Sequence, residues 1–309
     1  MPWDDRTKRR LKLRDLDILL AVVETGSMGK AANRLNISQP AVSKAIVELE
    51  DAVGAKLVDR GRRGVIPTPY GVALAKRSLA IFNDLRQGVQ DIEFLADPTK
   101  GDIRIGTTEP VAAALVSPAI DRLSRKHPRI SVHIVAGDTA TLYKNLIERN
   151  IELAVCRMIG ELPDELAAEV LFYDTFVVMT AAKNPLTRRR KLTLAELRNE
   201  PWALLPWDSF FGALVAEAFR AGGHEPPRAT VLSLSEYIKN EILATGRFLT
   251  VLPGFMLKVE GRYPPLKALA VTLPNKPMPI GIITLKNRML TPLAQLFIEN
   301  IRAAAKSMA

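Results

Sequence analysis

Residues 38–44, Ser-Gln-Pro-Ala-Val-Ser-Lys, hold the side chains best suited to recognition, and their chemistry is hydrogen bonding and charge neutralisation. Ser38 is a good helix N-cap, and Pro40 falls in the first turn, where a missing N–H costs nothing. At 100° per residue, Val42, Ala45, Ile46, Leu49 and Val53 form one buried stripe. Pro40, Lys44 and Val47 therefore point away from it, with Ser43 on the flank. A helix that starts by presenting small, polar and cationic groups outward fits the major groove of a duplex. The pattern alone fits equally well a small three-helix core with a solvated face.

The elements that must position this helix are legible on either side of it. Leu16, Leu19, Leu20 and Val23 fall on one helix face, and Gly26 ends that helix. Ser27 caps a shorter second helix whose buried side is Ala31, Ala32 and Leu35, so helices two and three read as a helix-turn-helix. The stretch "KLVDRGRRGVIPTPYG" predicts two short strands around an arginine- and glycine-rich tip, a wing. Arg62 and Arg63 at the tip, with Arg34, suit phosphates or the minor groove, while Ser38, Gln39, Pro40, Ser43 and Lys44 suit the groove and its rim. A solvated charged loop is the alternative for the tip.

Catalytic and metal chemistry are poorly supplied, so no catalytic residue, metal ligand or cofactor is expected. His127 precedes a proline, His133 alternates within a strand and His224 lies in a Gly/Pro loop, none with ligand spacing. There is no GxSxG elbow, no P-loop and no GxGxxG after a strand. The lone Cys156 closes the apolar run "ELAVC" and reads as a buried strand residue. The net charge of +10 and the pI near 9.8 favour an anionic partner. That charge is spread along the chain: residues 1–100 hold 17 Lys and Arg against 13 Asp and Glu. The polar start "MPWDDRTKRR" lacks an apolar segment, and no stretch is long and apolar enough to span a bilayer, so a cytoplasmic chain without membrane contact is expected.

From Tyr70 to Ala96 there is no proline, and Ser78, Phe82, Leu85, Val89, Ile92 and Ala96 recur at heptad-like steps. Such a helix, roughly 39 Å long, extends too far for the small domain before it to cover its stripe. A second copy of the helix would cover it; packing on its own C-terminal domain is the alternative. After the linker-like "ADPTKGD", strand and helix patterns alternate to the end of the chain: a first βαβαβ order predicts a parallel sheet with right-handed crossovers, and a second set of strands and helices completes two hinged α/β lobes. Ligands of such lobes sit beyond the carboxyl ends of strands, near helix N-termini. This nominates Thr107, Thr108 and Glu109, then Asp138 and Thr139, then Trp207, Asp208 and Ser209, and finally Gly246, Arg247 and Phe248. A cation and an aromatic at the cleft would suit an acid or a sugar, and Glu109 argues against a purely anion-lined pocket.

With "GS" at 26–27, "AA" at 31–32, Leu35, "SQPAVS" at 38–43, Ile46, "LE" at 49–50, Gly54, Leu57, Arg60, Thr68 and Gly71, the chain resembles the LysR-type transcriptional regulators. "IRIG" at 103–106, "GDTATL" at 137–142 and "IELAV" at 151–155 extend the resemblance into the second half. Val58, where the family usually has phenylalanine, and Gly29, where a hydroxyl residue is common, depart from the pattern.

The charge run "RTKRR" at 6–10 reads as a flexible basic arm at 1–12, with a disordered basic tail as the alternative. The resemblance implies an all-α winged helix-turn-helix at 13–70 and a linker (dimerisation) helix with hinge at 71–100. It also implies an effector-binding domain at 101–309 of the type 2 periplasmic-binding-protein kind. Its lobes are expected at about 101–161 with 268–309, and at about 162–267. The implied partners are double-stranded promoter DNA, a small-molecule effector and a second copy of the chain, with a homotetramer and RNA polymerase as further expectations. The competing class is a solute-binding protein or enzyme built on the hinged lobes, neither of which needs the N-terminal helices.

Overall fold

A computed structural model describes residues 10–61, 64–259, 261 and 264–308. The basic arm up to residue 9 and the wing-tip Arg62 and Arg63 lie outside the described residues. The fold divides into two compact units, one running to Ile92 and including Glu148–Asn150, the other made of Glu93–Ile147 and the chain from Ile151 onward.

In the first unit, α1 (Leu13–Thr25) ends at Gly26, whose φ of 62° is the left-handed conformation glycine adopts without strain. Helix α2 (Met28–Arg34) starts from Ser27, whose hydroxyl accepts from Lys30 N at 3.4 Å. Helix α3 (Gln39–Val53) starts from Ser38, whose hydroxyl accepts from Ala41 N. The three helices close over Leu16, Leu19, Val22, Ala31, Val42, Ile46 and Leu49, all buried. Val53, expected inside, is only partly buried.

Strands β1 (Val58–Gly61) and β2 (Gly64–Pro67) pair antiparallel in the register Val58↔Pro67 to Gly61↔Gly64. The wing is held by specific bonds. Val65 N donates to Gly26 O at 2.9 Å, tying β2 to the turn after α1. A single Glu50 oxygen accepts from Leu57 N at 2.8 Å and Val58 N at 3.2 Å, fixing the end of α3 to the start of β1. Glu50→Ala leaves both N–H groups without that acceptor and should destabilise this unit by about 2 kcal/mol, measurable as a lowered denaturation midpoint. Thr68 donates to Lys56 O and accepts from Gly71 N. Gly71 sits so close to Leu57 that a Cβ there would lie 1.9 Å from the Leu57 carbonyl oxygen. The long helix α4 (Pro69–Ala96) follows.

The second unit contains two five-stranded sheets. The first has the order β4-β3-β5-β12-β6, with β3 (Lys100–Thr107), β4 (Arg129–Ala136), β5 (Leu153–Arg157), β6 (Leu166–Asp174) and β12 (Met278–Leu285). Strands β4, β3 and β5 are parallel, whereas β12 runs antiparallel to both β5 and β6. The helical stretch from Glu109 includes a π-turn over Ala112–Val116 and continues as α5 (Ser117–Lys126); α6 (Thr139–Ile147) follows β4.

The second sheet has the order β11-β7-β10-β8-β9, with β7 (Phe176–Ala181), β8 (Trp202–Leu204), β9 (Ala229–Leu232), β10 (Leu249–Pro253) and β11 (Leu266–Ala268). Strands β10, β8 and β9 are parallel and β7 antiparallel to its neighbours. Helices α7 (Leu194–Leu197), α8 (Phe210–Ala221) and α9 (Glu236–Ala244) belong to this lobe, and α10 (Pro292–Ala305) returns to the first.

The parallel arrangement expected of the βαβαβ run holds for β4, β3 and β5, whereas the two chain crossings deliver β7 and β12, which run antiparallel to their neighbours. The expected lobe boundaries are corrected: β6 belongs to the first sheet, so the chain crosses near Thr175 and not at 161/162. Leu269 and Leu273 still pack in the second lobe's core, so the return comes after Leu273 and not at 267/268. Strand β6 is inconspicuous in sequence because, as the sheet edge, it buries only Leu166 and Phe172.

Candidate nucleic-acid interface and interlobe cleft

The exposed start of α3 carries Gln39, Pro40 and Lys44 on the surface and Ser43 half-buried beside them. Ser38 is also exposed, but its hydroxyl is engaged in capping the helix. Arg60 of β1 donates to the Ser43 hydroxyl at 3.0 Å, which leaves that hydroxyl its own proton to donate and anchors the guanidinium beside the helix face. Arg60 is not among the contact residues expected from sequence; its place in the family-like spacing, one residue before the wing tip, is the available signal. Lys44 lies 3.7 Å from Glu48 one turn on, both largely exposed, a pairing that solvent weakens. Arg34 is paired with Glu24 of α1. Wing residues Arg62 and Arg63 fall outside the described residues.

Along α4, Leu85, Val89, Ile92 and Leu95 are exposed, whereas Ser78 is buried and Phe82 packs against the first unit's core. The heptad seam thus changes role along its length, covered at its start and bare at its end.

Between the two lobes of the second unit lies a cavity of about 420 Å³. The carboxyl ends of β3, β4 and β5 reach it from one lobe through Thr108, Glu109, Asp138 and Arg157. Leu205 after β8, Leu252 and Pro253 of β10, and Glu236 and Lys239 of α9 reach it from the other. Phe176, Phe211 and Phe255 supply aromatic walls. An adjoining pocket of about 440 Å³ shares Asp138 and Phe211 and adds Thr139, Tyr143, Asp208 and Ser209.

Several of these polar groups already serve the fold. Asp138 accepts from Thr141 N at 2.7 Å, and bonds from the Thr141 hydroxyl and then its backbone hold the carboxyl below its ordinary range. Thr139 donates to Arg157 O at 3.0 Å, and Ser209 caps α8 by accepting from Gly212 N at 3.1 Å. Thr108, in contrast, makes no capping bond with its side chain.

The electrostatics centre on two buried cations that sequence reasoning missed. Arg157, only 3 % exposed, donates to the Asp174 carboxylate at 2.8 Å and to the Asp174 carbonyl at 2.9 Å. Its guanidinium carbon lies 4.7 Å from the Phe176 ring centre. Burial pulls its pKa down, opposed by the Asp174 hydrogen bond and charge. Asp174 in turn accepts from Gly254 N at 3.1 Å and Phe255 N at 3.0 Å, so one carboxylate joins the end of β6 to the segment after β10. Lys239, equally buried, pairs with Glu236 at 2.5 Å. Arg157 occupies the carboxyl end of its strand, where the general rule for α/β sheets would have found it. Lys239 sits on a helix face with no such signal.

Other expected residues lie elsewhere. The Thr107 hydroxyl is buried and donates to Val155 O at 2.9 Å, inside the sheet. Trp207 packs on the second lobe's core. Gly246, Arg247 and Phe248 stand at the amino end of β10, opposite the end that faces the cleft, because the strand begins at Leu249. Cys156 is buried as expected, and burial pushes its thiol up to about 12. Among the described residues no cluster of His, Cys, Asp and Glu could hold a metal ion, and no helix is long and apolar enough to cross a membrane.

Comparison with known proteins matches residues 13–72 to the helix-turn-helix of bacterial regulatory proteins of the lysR family, and residues 96–306 to the LysR substrate binding domain. The chain is 31 % identical over 307 residues to the HTH-type transcriptional regulator GbpR of Azospirillum brasilense, covering 96 % of this chain and 88 % of that protein. Similarity to YdcI of Escherichia coli, an HTH-type transcriptional regulator, is 24 % over 95 % of this chain and 96 % of that one. In fold, a full-length OxyR variant from Pseudomonas aeruginosa superposes with a TM-score of 0.66 at 21 % identity, over 96 % of this chain and 97 % of that one. The LysR family transcriptional regulator CbnR gives 0.65 at 19 % identity, over 96 % and 99 %.

Proposed function

The chain belongs to the LysR family of DNA-binding transcriptional regulators, and on that premise we propose which of its residues meet DNA and which meet the effector. The start of α3 enters the major groove, with Gln39, Ser43 and Lys44 facing base edges or the groove rim and Ser38 and Pro40 at the helix entrance. Arg34, Arg60, Arg62 and Arg63 neutralise phosphates or enter the adjoining minor groove. The observation that carries this reading is the exposed Gln39–Lys44 face with Arg60 fastened to Ser43 at its flank. The bare apolar end of α4 packs on a second copy, which sets two recognition helices against two half-sites.

The effector occupies the interlobe cavity, held between Thr108, Glu109 and Asp138 on one side and Glu236 and Lys239 on the other, with its apolar parts against Phe176, Phe211 and Phe255. It acts by binding two arrangements of the assembly with different affinity. The nomination of Gly246, Arg247 and Phe248 as effector contacts is given up, because they lie at the wrong end of β10.

Gln39 is the sharpest test of the DNA reading, since its amide can pair with one base edge in two bonds, worth about 1–3 kcal/mol of discrimination. In a competition shift assay on a duplex selected from a random pool, Gln39→Ala should lose about tenfold or more of its preference over non-specific DNA, with an unchanged salt slope. A variant as selective as the parent would remove α3 from base reading.

A further inference from the structure

The positive charge of the second unit is not shared between its lobes. From residue 175 to 277 the sequence holds 14 Lys and Arg against 8 Asp and Glu, whereas the rest of 101–309 balances at 12 against 12. The second lobe carries the whole surplus, and of its cations among the described residues only Lys239 lines the interlobe cavity.

Topology gathers part of that surplus in one place. Leu249 pairs with Trp202 and Trp202 with Ala229, so the amino ends of β10, β8 and β9 lie side by side. Arg247, Arg198 and Arg228 each come shortly before one of these strands. With Asn199, Glu200 and Thr230 they line an open groove of about 570 Å³ at the end of the lobe away from the cavity. All three arginine side chains are exposed, and among the described residues none has an ion-pair or side-chain hydrogen-bond partner. Arg247 lies instead 5.9 Å from the centre of its neighbour Phe248. By contrast, the nearby Arg189 is paired with Glu196 at 2.7 Å.

Helices ending at Leu197 and Ala244 account for a cation near each end, since terminal carbonyls attract positive charge. They do not account for the third arginine, nor for all three facing one concavity against a single carboxylate. Unpaired guanidinium groups present planar forks that match phosphate oxygens in two bonds at a time, and Asn199 and Thr230 add neutral donors.

We infer that the groove formed by Arg198, Arg228 and Arg247 is a binding site for a small, multiply charged oxyanion of the phosphate class, distinct from the effector cavity. The same phosphate chemistry is offered by a free phosphorylated ligand and by the DNA backbone; the concave shape assigns it to the free ligand.

Titration calorimetry of the full-length protein with pyrophosphate at constant ionic strength tests the site. Saturable binding of one anion per chain is expected, weakened at least tenfold in the Arg198→Ala/Arg228→Ala/Arg247→Ala variant and retained in Arg62→Ala/Arg63→Ala. These side chains are exposed, so the triple variant should keep its fold, which its melting curve verifies. No saturable heat up to about 1 mM, equal binding by the triple variant, or loss in the wing variant would each overturn the assignment. A final arm adds saturating duplex: pyrophosphate binding that persists supports a free-ligand site, whereas displacement by the duplex overturns it in favour of backbone contact.

Discussion

Alanine at both Arg62 and Arg63 is expected to flatten the salt dependence of DNA binding by about 1.8 in the slope of log K against log salt, per chain, and to weaken binding by one to two orders of magnitude at moderate salt. Each phosphate that a cation neutralises releases close to one condensed counterion, so two lost contacts remove nearly two from the slope. The two arginines join β1 to β2 in sequence, between the paired Gly61 and Gly64. The base of that hairpin is fastened to the helix-turn-helix through Gly26 and Glu50. A tip carried on so fixed a base can deliver charge to a phosphate without first paying to order the whole wing. The neighbouring cations are less free to do the same, since Arg34 is paired with Glu24 and Lys44 is drawn toward Glu48. Fluorescence anisotropy over a salt series measures the slope, and an unchanged slope would return Arg62 and Arg63 to the status of a solvated loop. The effect should fall equally on specific and non-specific duplex, the reverse of the loss expected at Gln39.

What can be read from sequence is what depends on near neighbours. Ser27, Ser38, Pro40 and the glycine stops announce helix ends because capping is settled within four residues. The wing is legible because glycine and arginine punctuate two short β-patterned runs. Glu50 looks like one more acid on a helix face, and only the chain's return at Leu57 gives its carboxylate two donors to hold. In the lobes, the strand-end rule locates Thr108, Glu109 and Asp138 and fails at Arg247, which precedes β10 and so stands at its amino end. Arg157 ends the same apolar run as Cys156 and is open to the rule, whereas Lys239 depends on which way α9 faces. Strand β6 escapes because an edge strand needs few apolar residues, and missing it displaces the lobe boundary.

Replacing Asp174 by alanine should cost the second unit about 3–5 kcal/mol of stability. Asp174 is 11 % exposed and Arg157 3 %, so the guanidinium left behind has almost no water to solvate it. The carboxylate also accepts from the N–H groups of Gly254 and Phe255, and both lose that partner. Those bonds tie the segment after β10 to the end of β6, where Phe172 meets Phe255 edge-on at 5.8 Å between ring centres, so the damage lands where the chain passes between lobes. Asp174→Asn should be milder, because the amide oxygen can still accept from one or two of these donors while the charge on Arg157 goes unanswered. Arg157→Met combined with Asp174→Leu should recover much of the loss, since a buried ion pair exchanged for apolar groups of similar volume is often close to neutral. Denaturant melts of the four proteins at one pH separate these cases. If Asp174→Ala and the parent unfold at the same midpoint, water reaches Arg157 and the pair is not what holds the end of β6. If the double variant is as unstable as the single, the lost N–H acceptors, and not the stranded charge, carry the effect.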